Sequence, residues 1–321
     1  MSKSTKIWLI TAASLIVLGL MIFTGGLMMA NWNFSKFGTA KYEMNTHTIT
    51  DTFKNISMDT DTADIKFVLS DDGVCKVVCF EEKNDKHEVS VSNDTLTINR
   101  VCTKRWYQHI SINVKTPKVT IYLPETEYGA LNIKESTGDI DISKDFTFES
   151  IDISLSTGDV KNYASASGLV KIKASTGDIE IENVSANAFD LSVSTGNINV
   201  KIAECKGDMS VKVSTGKAKL CDVSCGSITS KGSTGDMTLE NVVATGDFNI
   251  TRSTGDVTFK KCDAAELFVK TDTGDVKGSL LSDKIFFAET DTGSVNVPKS
   301  MSGGCCEIKT DTGDIKFEII R

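Results

Sequence analysis

Thr-Gly pairs begin at Thr137, Thr157, Thr176, Thr195, Thr215, Thr234, Thr254, Thr273, Thr292 and Thr312, each 19 or 20 residues after the one before. A fixed period of this length predicts a solenoid, in which one coil cannot bury its inner face alone and must stack on its neighbours. Apolar residues tend to fall six, four and two places before each Thr, as in Ile151, Ile153 and Leu155, then Phe189, Leu191 and Val193, then Met209, Val211 and Val213. Period two is a strand with one buried face. After each Gly comes usually Asp and then an alternating pair such as Ile140 and Ile142, Ile179 and Ile181, or Ile315 and Phe317, so a second strand follows the turn. The Gly permits a corner with positive φ, and the Asp caps it as an acceptor. A second column, Gly168, Asn187, Gly207, Gly226, Gly246 and Gly304, marks another corner. Coils stacked in chain order at the ~4.8 Å strand spacing give a rod roughly 50 Å long.

The fold class is therefore all-β: a parallel β-solenoid (β-helix) of about ten coils. Only three prolines interrupt a chain rich in Gly, Ser, Thr, Asp and β-branched residues, which suits strands and tight turns. Residues 7–30 carry no charge and form an apolar stretch of 24, long enough for a membrane helix. Lys3 and Lys6 precede it, so the positive-inside tendency leaves 1–6 as a cytoplasmic tail and everything from Asn31 outside, in the cell membrane as a single-pass protein. A cleaved signal peptide is the rival, but the stretch exceeds an ordinary signal core and Met28-Met29-Ala30 is a poor cleavage site. Residues 31–41 then read as a linker, 42–128 as an N-terminal β cap and 129–321 as the solenoid repeats.

The cap lacks the strict period yet alternates: Leu96 and Ile98, then Ile110, Ile112 and Val114, then Val119, Ile121 and Leu123. Ile56, Met58, Thr60, Thr62, Ala63, Asp64, Ile65 and Phe67 fit every slot of the repeat with Ala in place of Gly, which makes an eleventh, degenerate coil. Hairpins then follow it as insertions. The run Val119 to Leu123, Pro124, a short spacer, Leu131-Asn132-Ile133 and Ser136-Thr137-Gly138-Asp139-Ile140 resembles the bacterial putative-adhesin family of β-strand-repeat domains, over about residues 50–321. The resemblance implies a parallel β-solenoid behind a membrane anchor in a bacterial envelope, sometimes beside envelope-stress signalling. It supplies no catalytic residue.

Several motifs tempt a sharper reading. Asp272-Thr273-Gly274, Asp291-Thr292-Gly293 and Asp311-Thr312-Gly313 spell the aspartic-protease triplet, but that chemistry needs two such loops face to face, and these stand in one repeat column. Leu123-Pro124-Glu125-Thr126 lacks the Gly and the hydrophobic tail of a sortase signal. The Asp column admits turn capping or calcium, with Asp272, Asp275, Asp311 and Asp314 as the calcium candidates because two acids flank the same turn there. Cys205 and Cys225, near equivalent places in adjacent coils, fit either a disulfide or packed thiols. Three scattered histidines and no Cys-x-x-Cys pair give no zinc spacing. Arg252 and Glu135 fill a slot that is Leu155, Ala174, Val193 and Val213 elsewhere, and beside a corner they are expected to reach solvent.

A net charge of −8 without a basic run excludes a nucleic-acid footprint. No cofactor and no catalysis are expected. The chain reads as a non-enzymatic envelope scaffold that meets a cell-wall or envelope protein partner; the alternatives are an accessory of envelope-stress signalling and a calcium-binding β-roll-like module. With Ile315, Phe317 and Ile319 alternating in the last coil, the C-terminal coil is expected to be the open end, covered by its own last residues or used for self-association.

Overall fold

The computed structural model describes residues 2–29, 31–32, 41–104 and 115–320. The expected strand at Ile110, Ile112 and Val114 and most of the linker lie outside the described residues. One helix, α1 (Lys3–Met29), is long and apolar enough to cross a membrane, a property that anchors and signal sequences share. The other described residues form a parallel β-solenoid, with antiparallel strands added at its N-terminal end.

Each regular coil has two main strands, represented by Ala188–Thr195 before the Thr-Gly corner and Ile198–Cys205 after it. Coil stacks on coil in register, with Leu191 beside Val211 and Val200 beside Leu220. All four side chains are buried. At the corner, the ten glycines of the Thr-Gly pairs have φ between +121° and +151°. A Cβ there would stand 1.9–2.3 Å from the carbonyl oxygen of the stacked coil, so space as well as torsion demands glycine. The second column stacks too, with Gly207 N–H donating to Asn187 O at 2.8 Å and Gly226 N–H to Gly207 O at 2.6 Å.

A third corner carries no glycine. Asn183, Ile202, Asp222, Asn241 and Lys261 have φ between +53° and +57°, and each breaks the buried–exposed alternation of its strand. The coil is therefore three-sided. Its short third side is lined by Ala186, Cys205, Cys225 and Ala244, small residues that fit the narrow angle.

The degenerate coil at Thr62 is real: Ile56 and Met58 pair with Leu131 and Ile133, and Thr62 bridges Thr137. Outside it the cap adds Thr95–Cys102 on one sheet and Lys118–Leu123 on the other. Antiparallel strands complete both sheets there.

The far end departs from chain order. Leu267–Thr273 pairs with Gly304–Thr312, which pairs in turn with Lys284–Thr292, so the tenth coil is inserted between the eighth and the ninth. Gly313 accordingly sits on Gly274, and Gly293 on Gly313. In this order Phe317 pairs with Gly278 and packs at 5.7 Å on both Phe259 and Phe286, which joins the rings of three coils. The C-terminal coil is thus paired on both edges, contrary to the expectation that it forms the open end. That end is the ninth coil.

Candidate functional site in the N-terminal cap

We label the cap strands β1 (Tyr42–Ile49), β2 (Cys75–Glu82), β3 (Asp85–Ser92) and β4 (Thr95–Cys102). In β2 the inward phase runs Cys75, Val77, Cys79 and then Glu81, so an apolar stripe ends on a carboxylate. In β4 it runs Leu96, Ile98 and Arg100, and in β3 His87 stands opposite Arg100. The chain passes from β2 to β3 through Lys83-Asn84 and so crosses from one sheet to the other. Both inward faces turn polar at the same level.

There Glu81 is 1% and His87 6% exposed. Glu81 Oε2 accepts from the His87 amide at 2.6 Å and bonds His87 Nδ1 at 2.8 Å, while Asn45 Nδ2 donates to Oε1 at 2.6 Å. Ligand atoms of Cys79, Glu81 and His87 all lie within 4.8 Å of one another, the only such group among the described residues. A second, wetter cluster lies alongside. Arg100 grips Asp85 with two bonds of 2.7 and 2.9 Å and reaches Asp61 at 2.8 Å, and Lys104 bridges Glu82 and Asp85 at 2.9 Å each. Burial works to raise the Asp85 carboxyl, but Arg100 and Lys104 more than offset it and hold it below its ordinary value. Glu82, Asp85, Arg100, Lys104 and His87 line a cavity of about 310 Å³. Burial pushes the Cys79 thiol up to about 12, so without a bound cation it keeps its proton beside the imidazole.

The residues singled out from the sequence lie elsewhere. Asp275 Oδ1 accepts from the Asp314 amide at 2.9 Å, and Asp314 Oδ1 from the Ser294 amide at 2.8 Å and its hydroxyl at 2.9 Å. The same ladder links Asp139, Asp159 and Asp178 at 2.8–2.9 Å. Each of these carboxylates accepts from an amide of the next coil, so the column is a ladder between coils rather than a set of caps on its own turns. Asp272 and Asp311 stand exposed in neighbouring coils and join none of these bonds. Cys205 and Cys225 are buried free thiols on the third side of adjacent coils, and Cys205 Sγ lies 3.2 Å from Gly207 O.

Arg252 and Glu135 correct the sequence reading: both point inward, at 1% and 2% exposure. Arg252 occupies space left by Gly232, whose added Cβ would stand 1.6 Å from the guanidinium. It donates to Ser230 Oγ at 2.9 Å, its Nε has no partner, and burial draws its pKa down to about 10. Glu135 accepts from the amides of Ala63 at 3.3 Å and Thr137 at 3.2 Å and from the Thr60 hydroxyl, tying the degenerate coil to the rod. Burial raises its carboxyl to about 7 against the pull of those amides. A glycine one repeat before an oversized side chain was the readable signal for Arg252. For Glu81 it was the inward phase carried two residues past Cys79.

Fold and site together define an all-β solenoid protein with one apolar N-terminal helix and a polar cap. The Toastrack DUF4097 family profile matches residues 53–223 and 206–321, and the chain belongs to that family. A "putative adhesin" from Bacteroides fragilis is similar at 17% identity and a TM-score of 0.43, over 87% of this chain and 97% of its own. A "putative adhesin" from Parabacteroides distasonis stands at 12% identity and 0.40, over 88% and 98%. A "putative lipid binding protein" from the same organism stands at 11% and 0.27, also over 88% and 98%. Among curated proteins nothing matches.

Proposed function

We propose that this chain is a non-enzymatic scaffold of the bacterial envelope, held in the cytoplasmic membrane by α1 with its solenoid outside, that offers the open ninth coil to a protein or cell-wall partner. The observation that carries this is the polarity of the rod. The chain enters it at the cap, with twelve residues between α1 and the first strand, and at the opposite end of the stack Lys284–Thr292 is paired on one edge only among the described residues. Twelve residues span at most about 40 Å, so the cap stays near the bilayer. On the ninth coil Phe287 is 60% and Val295 44% exposed, and Ile285, Phe286 and Ala288 are half-buried. An unpaired strand edge of this kind is a template for added strands.

External protease on intact cells should degrade the rod while α1 stays in the membrane. Phe287→Lys with Val295→Lys should reduce capture of the full-length protein's crosslinked partners at least fivefold without changing its abundance. A rod protected from external protease, or unchanged crosslinks in the double variant, overturns the reading. A regulatory role in envelope-stress signalling draws support from one feature, the Glu135 carboxyl with a pKa of about 7 at the junction of cap and rod. An envelope-stress reporter that responds to deletion, with attachment unaltered, favours that role.

A further inference from the structure

We propose that Cys79, Glu81 and His87 form a binding site for a borderline-soft divalent transition metal such as Zn²⁺, with His47 as the fourth ligand. Three observations converge. The donor set of one thiol, one imidazole and one carboxylate is the chemistry that Zn²⁺ selects over calcium or magnesium. Its atoms already lie within 4.8 Å of one another, and all three residues are more than nine-tenths buried. Tetrahedral ligands about 2.0 Å from a metal are about 3.3 Å apart, so the Nδ1–Oε2 pair, now at 2.8 Å, opens only slightly as the ion replaces the bridging proton.

The third observation is independent. His47 Nε2 is buried without any hydrogen-bond partner, an unusual cost for a polar atom. His47 lies opposite Val77 in β2, two residues along β1 from Asn45, which lies opposite Cys79. It is therefore the diagonal neighbour of Cys79 on the same face, about 7 Å away at Cβ and within reach after a change of side-chain torsion. Asn45, already bonded to Glu81 Oε1, fixes the carboxylate from behind, as outer-shell partners do. The cavity beside His87 gives an ion its way in.

On binding, the Cys79 thiol proton passes to solvent and the imidazole proton moves from Nδ1 to Nε2 of His87, leaving thiolate, neutral imidazole and carboxylate on the ion. The metal clamps β1, β2 and β3 together, so the site is a structural staple for the cap. Periodicity could not show it, because its ligands belong to the part of the chain where the repeat is interrupted.

The test uses the full-length chain in detergent under reducing conditions, with Co²⁺ as the probe and Zn²⁺ as competitor. We expect one equivalent of Co²⁺ with a thiolate charge-transfer band in the near ultraviolet, displaced by Zn²⁺. Cys79→Ser should abolish the band and Cys75→Ser should keep it, both with wild-type far-ultraviolet dichroism. His47→Gln, at the half-exposed position, should weaken Zn²⁺ binding at least tenfold, and Zn²⁺ should raise the melting temperature of wild type but not of His87→Gln. Failure to retain metal after dialysis, or a band that survives Cys79→Ser, overturns the site. Unchanged Zn²⁺ affinity in His47→Gln overturns the fourth ligand.

Discussion

The middle of the rod and its N-terminal cap are built from the same strands, yet they treat polar groups in opposite ways. Between Thr157 and Thr273 almost every charge faces water or closes a turn, and the carboxylates of the corner column are spent on the amides of the next coil. In the cap, Glu81, Glu82 and His87 are all buried, and Arg100, Lys104 and Asp85 interlock beside them. Repetition absorbs chemistry, because a group that recurs each coil must be satisfied by its own copy. Interruption of the repeat gathers side chains that occur once, and that is where a specific site can form.

The rod holds together only as one stacked core. Leu191→Asp together with Val211→Asp places two carboxylates side by side in the buried column, at a cost of more than about 5 kcal/mol. The cooperative melt of the rod should vanish in calorimetry, and a retained single transition would contradict nearest-neighbour stacking.

Glu135 lies at the junction of rod and cap and is buried like the cap's own acids. The folded carboxyl keeps its proton to about pH 7, against an ordinary value of 4.5, so the folded state binds the extra proton in that window. Stability should therefore be highest below pH 4.5 from this group and fall by about 3 kcal/mol as pH rises to 7. Glu135→Gln should flatten that slope in denaturant titrations between pH 5 and 8.

Arg252 is the rod's own exception. Its guanidinium is buried on a single side-chain bond with Nε unpaired, so Arg252→Met should gain about 1–3 kcal/mol. Chemical denaturation decides, and a loss of stability would mean that the cation has an anchoring role. The smallest effect is at Ile202, a β-branched residue at φ +53° with its side chain about half exposed. Ile202→Asn should stabilise by about 1 kcal/mol, read as a higher midpoint with an unchanged slope.

Much of the solenoid was legible because its signals are local. Thr-Gly spacing, period two and the glycine columns each report a backbone requirement that a few consecutive residues satisfy, and even the degenerate coil at Ile56–Phe67 kept its slots. The third corner escaped because Asn183, Ile202, Asp222, Asn241 and Lys261 take the left-handed conformation without glycine. The burial of Arg252 and Glu135 cannot be read from their own coils, because burial of a charge depends on the adjacent coil: Gly232 makes room for one, and the amides of Ala63 and Thr137 donate to the other.

An all-β repeat, its period, its two glycine corners and a helix long and apolar enough to cross a membrane follow from the sequence alone, since all of these are properties of neighbouring residues. The order of the coils at the far end depends on packing between coils, which stacks Phe317 on the rings of Phe259 and Phe286 and leaves the ninth coil, not the tenth, at the open edge. The tertiary structure alone brought Cys79, Glu81 and His87 together, because strands that cross between sheets set contacts by packing, and packing has no period to read.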